Sequence, residues 1–177
     1  MVRVLCVPMM QRTVLTAGLV VTFVLLSNAQ TKMVPCYSGA TIASCTPAQR
    51  SAKAKALAEA RTAVMVIKAT RTISCGDGSE DPCIANDGGA TSIIQQEAEA
   101  SELWRDLTKV EAKKADLLLN FNTKNREWLE LCVFDGDSAD LLWCETRRVI
   151  ALDNDASREI AHFLKARQTA LGERFTK

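Results

Sequence analysis

Histidine is nearly missing: His162 is the only one in 177 residues. Without a second imidazole, a Cys/His zinc site and a histidine-centred catalytic constellation both lose their usual donor. No Cys-x-x-Cys pair occurs, which removes a thioredoxin-type dithiol. Neither Gly-x-Ser-x-Gly nor His-Glu-x-x-His is present, and Ser51, near Lys53 and Lys55, falls on an alanine-rich helix rather than at a strand-to-helix elbow. Net charge is lacking too, with 22 basic residues against 21 acidic ones. Nothing in that balance attracts nucleic acid or an anionic membrane. The apolar run Val14 to Leu26 is about thirteen residues, short of the roughly 18 that a spanning helix needs.

What that run does resemble is the core of an export signal. Arg3 and Arg12 precede it, and Ser27-Asn28-Ala29 follows as a small-x-small cleavage site, so cleavage is expected between Ala29 and Gln30. The competing reading is a transmembrane anchor. Met10, followed by Gln11-Arg12, is an alternative start that keeps the signal whole. Cys6 precedes the apolar run and so is not placed as a lipoprotein cysteine, and after signal cleavage a mature chain without a membrane anchor is expected.

Six of the seven cysteines then remain: Cys36, Cys45, Cys75, Cys83, Cys132 and Cys144. An even number behind an export signal reads as disulfides. Connectivity is open in principle, and proximity favours Cys36 with Cys45, Cys75 with Cys83, and Cys132 with Cys144. A hairpin turning through Gly136 to Asp140 sets Phe134 opposite Leu142 and Cys132 opposite Cys144, close enough to bridge.

Along the chain, Gln30 to Cys45 is a small-residue arm. Thr46-Pro47 opens a helix running to about Ala60, and Ala63 to Ala69 is a buried strand. Thr70 to Ala90 reads as a turn-rich surface loop. Asp77, Ser79 and Asp81 have the alternate spacing of a calcium loop but lack its glycine and terminal glutamate, so a solvated acidic loop is expected; Asp135, Asp137 and Asp140 read as turn formers. A helix with Ser92 and Gln95 as a capping box extends to Leu107, and Thr108 to Glu111 adds a short edge strand. Ala115 to Val149 is a three-strand antiparallel meander. Asp155 or Ser157 caps a final helix with Ile160, Phe163, Leu164 and Leu171 on its apolar face and Gly172 as its stop. Arg167 is expected to reach water past its aliphatic stem, and His162 to point into solvent.

This order predicts an α/β, two-layer α+β domain: a mixed sheet of about four to five strands with a C-terminal antiparallel meander, packed by two to three helices. The expected divisions are a signal over 1–29, an arm and Ala-rich helix over 30–62, one α/β domain over 63–172 and a tail over 173–177. If Lys124-Asn125 is a two-residue turn, Leu117, Leu119 and Phe121 share the core face with Trp128, Cys132, Phe134, Leu142 and Cys144. Leu129, Leu131, Val133 and Trp143 then fall on a second face, with Leu118 and Leu141. Either the amino-terminal helix or arm covers that face, or it is a protein contact surface anchored by Trp143.

The segment Lys114-Ala-Asp-Leu-Leu-Leu119, with Val133-Phe-Asp-Gly-Asp137 and Leu141-Leu-Trp143 before a closing helix, resembles small secreted bacterial domains. It is also similar to the amino-terminal domain of TolB and to relatives in the CsgG group. That resemblance implies an envelope or secreted protein of the interaction kind, with no catalytic residues to carry over. The departures are the extra cysteine pairs and the lack of a following propeller. The function expected is thus an exported, periplasmic or extracellular, non-enzymatic module that binds a protein partner or its own copies, with no cofactor and no metal. The alternatives are an exported hydrolase or a small-ligand carrier, either of which calls for a pocket lined by Glu130, Asn120 or Glu145.

Overall fold

Thr46 accepts a hydrogen bond from the Gln49 amide while the Gln49 side chain accepts one from the Thr46 amide, a reciprocal cap that starts the first helix. The structure, a computed structural model, describes residues 34–36, 44–76 and 81–175. Every described residue belongs to the second of two units, 31–177. The expected signal, its cleavage site and Cys6, together with most of the arm, Asp77, Ser79 and the last two tail residues, lie outside the described residues.

In the second unit the elements run β1 (Val34–Pro35), β2 (Ser44–Cys45), α1 (Pro47–Glu59), β3 (Thr62–Ser74), β4 (Pro82–Asn86), α2 (Gly88–Ala100), α3 (Leu103–Asp106), β5 (Thr108–Lys109), β6 (Leu117–Lys124), β7 (Trp128–Asp135), β8 (Leu141–Arg148) and α4 (Leu152–Phe175). The main sheet has six strands in the order β4-β3-β6-β7-β8, with β5 beside the start of β3. It is mixed: β3 runs parallel to β6 and β5, and the other pairs are antiparallel. Helices α1, α2 and α4 pack on one face, over a core that includes Leu57, Ile94, Phe121, Leu131 and Phe163. The architecture is the two-layer α/β fold expected, with one strand more.

Three local expectations change. Thr70 to Ala90 is not a loop: β3 is 13 residues long and its second half pairs with β4, so Thr70 faces Asn86 and Ile73 faces Cys83. The alternating Thr-Arg-Thr-Ile-Ser segment is strand-forming in its own right; Gly76 lies in a turn, and Gly88 and Gly89 open the next helix. That helix, α2, starts four residues before Ser92 because Asp87, not Ser92, is its cap, accepting from the Ala90 amide at 3.0 Å. It ends at Ala100, where Ser101 adopts an extended conformation and its hydroxyl donates to the Ala98 carbonyl and accepts from the Leu103 amide. Finally, α4 continues through Gly172 to Phe175, so the glycine is no stop.

Arg167 is a further correction. It is 4% exposed rather than reaching water, and its guanidinium donates to the carbonyls of Leu57 and Ala60. These are carbonyls at the carboxyl end of α1, which a helix leaves unsatisfied on its own. One side chain of the last helix thus caps the first and joins the two ends of the domain.

Candidate functional site

Which side chains face the helices follows from one connection. Between β6 and β7 the pairing sets Lys124 opposite Trp128, so three residues, Asn125 to Glu127, make the turn. The two-residue turn expected at Lys124-Asn125 differs from this by an odd number of register steps, and an odd slip exchanges the two faces of a strand. Asn125 and Arg126 both have φ near +55° (54° and 55°), a left-handed conformation that costs a non-glycine residue about 1 kcal/mol or more. Distant groups hold them there. Asn125 donates its amide to the Thr70 carbonyl at 2.8 Å and accepts the Thr72 amide at 2.7 Å. Arg126 forms two hydrogen bonds of 2.7 Å to the carboxylate of Asp87, and a Cβ on Gly89 would come within 2.8 Å of its guanidinium. The hydrogen bonds from Arg126, then from the Ala90 amide, hold the Asp87 carboxyl far below the ordinary carboxylate range.

With the register set this way, Leu119 pairs with Val133 and Val133 with Trp143, while Phe121 pairs with Leu131. Leu129, Leu131, Val133 and Trp143 therefore belong to the core, each at most 3% exposed, and Trp143 lies against Phe163 of α4 with ring centroids 5.7 Å apart. Of the two readings given above, this burial fits cover from within the chain, supplied by α4 with α1, and not a contact surface at these four residues. Trp128, assigned above to the core, is 53% exposed.

The face away from the helices carries the other parity. Across the sheet it reads Val64, Leu118 and Phe134 in one row, Val66, Asn120, Cys132 and Cys144 in the next, then Lys68, Asn122, Glu130 and Thr146, and finally Thr70, Lys124, Trp128 and Arg148. The apolar end is only half-covered, with Val64, Leu118 and Phe134 of intermediate exposure and Val66 44% exposed. A β-bulge at Val133/Phe134 brings Leu141, rather than Leu142, opposite Phe134. Leu141 too is exposed.

The six cysteines are joined as Cys36–Cys45, Cys75–Cys83 and Cys132–Cys144, with Cα separations of 5.3, 5.3 and 4.0 Å. The third bridge lies on the open face, where Glu130, Cys132 and Cys144 bring three potential ligand atoms together. Both sulfurs are consumed in the bridge, so no thiolate is left for a metal. Asp135, in the next turn, accepts the Asp137 and Ser138 amides and the Ser138 hydroxyl, which makes it a turn former. Three grooves of about 460, 290 and 580 Å³ flank the helices, and none is lined by Asn120, Glu130 or Glu145.

Two groups escaped sequence reading. Asp116, of the Ala-Asp-Leu segment, accepts the amides of Arg61 and Thr62 at 2.8 and 2.9 Å, and the first of these bonds lowers its carboxyl despite burial. Its own carbonyl accepts the Gly136 amide, and a Cβ on Gly136 would fall 1.8 Å from the Ala115 carbonyl oxygen. The second group joins β8 to α4: Arg147 donates to Glu145 at 2.9 Å and to Glu159, while His162 Nδ1 lies 3.0 Å from Glu145. His162 is exposed, as expected, and its ring also lies against Glu145. Glu145 and Arg147 face inward by the same parity as Leu131 and Leu129, a signal that the correct turn length would have supplied.

No protein-family model matches the chain. A search of curated proteins finds no match. Among solved structures it is similar to a PelC dodecamer from Paraburkholderia phytofirmans, at 16% identity over 61% of this chain and 88% of that one, with a TM-score of 0.34. A likeness at that level carries no argument about function. Among the described residues, no helix is long and apolar enough to cross a membrane.

Proposed function

We propose that the chain is an exported, non-enzymatic module that works by protein contact through the open face of its sheet. The observation that carries this reading is the unequal covering of the two faces: helices bury one, while the other leaves Val66, Trp128 and Leu141 exposed. Large apolar side chains left exposed on a sheet face suit a contact surface, and tryptophan is a frequent anchor within such surfaces. The three disulfides support export, since such bridges persist in oxidising compartments. The resemblance to TolB amino-terminal and CsgG-like domains points the same way.

The test is a pair of face substitutions, Val66→Lys and Trp128→Ser, in exported protein. Both side chains are accessible, so folding should survive, with urea midpoints near that of the parent. Co-purification of a partner, or self-association measured by light scattering, should fall at least tenfold. Undiminished association in both variants would refute the assignment of this face.

A further inference from the structure

We propose that Glu145, Arg147, Glu159 and His162 form a proton-dependent latch between β8 and α4: the group holds one proton while the helix is seated on the strand, and releasing it loosens the seat. Arg147 stands between the two carboxylates, donating through Nη2 to Glu145 and through Nε to Glu159. His162 closes the outer end, its Nδ1 3.0 and 3.1 Å from the two Glu145 oxygens and 3.3 Å from the Arg147 guanidinium.

One guanidinium balances one carboxylate, and here there are two. Glu159 has no solvent exposure, and its Oε2 is buried without a hydrogen-bond partner. An ionised carboxylate in that position loses hydration that only the Arg147 bond to its other oxygen replaces, so binding a proton relieves it. Burial pushes Glu159 upward from its ordinary value; Arg147 opposes the shift, Glu145 adds to it, and His162 opposes it. The other charged groups nearby are committed elsewhere or exposed. Asp155 of α4 accepts the Ile150 and Ala151 amides, Glu97 of α2 accepts the Ser157 hydroxyl, and Arg158 faces solvent. From β7, the residues opposite Glu145 and Arg147 are leucines.

The sign follows from linkage. A carboxyl held above its unfolded value keeps its proton in the fold after the unfolded chain has released it, so its contribution is full below about 4.5, the ordinary value, and is lost as pH rises through the higher folded one.

The experiment is urea unfolding of the disulfide-intact chain at several pH values from 4.5 to 9. The folding constant should fall with rising pH, by up to about tenfold per unit, the limit for one proton. Glu159→Gln removes the titrating group and should flatten this limb. Glu145→Gln removes the unbalanced charge at a less buried position and should flatten it as well, which decides the matter if Glu159→Gln does not fold. A flat profile in the parent chain, or a parental slope in any folded variant of the two, would overturn the latch.

Discussion

At the scale of single residues, the short motifs that suggest a family are also the points where the fold is tied together. Asp116 clasps the start of β3, and Gly136 lets the β7–β8 turn approach Ala115, so the fold alone accounts for both, whatever the domain binds. Arg167 departs from its expected place at the surface for a physical reason. Its position on the apolar stripe of α4 was legible, but its partners are backbone carbonyls more than a hundred positions away in sequence, at separations of 110 and 107, and no local pattern marks them. Arg167→Ala should therefore lower stability by about 3 kcal/mol, through two carbonyls left without donors and the lost packing of the stem. Arg167→Lys should recover part of that loss, since it restores a donor but not the forked geometry. Urea unfolding of the two variants measures both effects, and a loss below about 0.5 kcal/mol, typical of a surface site, would contradict the capping role.

At the scale of elements, patterns that repeat within one segment were readable and patterns set between segments were not. The meander, the start of α1 and the apolar stripe of α4 follow from composition and period. So did the opposition of Cys132 to Cys144, because the β7–β8 turn preserves its expected register up to Val133. The β6–β7 turn defeated the same arithmetic: Asn125 and Arg126 hold left-handed conformations only because Thr70, Thr72 and Asp87 secure them. That one connection exchanged the inner and outer faces of two strands and put Leu129, Leu131, Val133 and Trp143 in the core instead of on the outer face. The bridge between those strands has a measurable consequence. Replacing Cys132 and Cys144 together by serine should cost about 2 to 3 kcal/mol, the range expected for a short closed loop, and lower the urea midpoint without changing the fold. An unchanged midpoint would show that the hairpin needs no staple.

For the whole molecule, three carboxylates set the acid limit. Asp87 is lowered chiefly by Arg126, Asp116 chiefly by the Arg61 amide, and Asp155 by the Ile150 and Ala151 amides in spite of burial, which acts in the opposite direction. A carboxyl held below its ordinary value of 3.8 contributes stability that is complete above that value and disappears as pH falls through the folded one. Thermal unfolding should therefore show a steep loss of stability below about pH 4, and Asp87→Asn should be less stable at neutral pH but less sensitive to acid. A parallel acid profile in that variant would count against the Asp87–Arg126 pair. The two-layer architecture was legible from the order of elements, whereas which side chains lie on the open face was not, because that depends on turn length; the choice of that face for contact is a proposal. That choice is tested most directly by placing a photoreactive side chain at Val66, on the open face, and separately at Thr169, on exposed α4, in protein exported by living cells. Contact through the sheet predicts a discrete crosslinked adduct from position 66 and none from position 169. No adduct from position 66, or equal adducts from both, would contradict it.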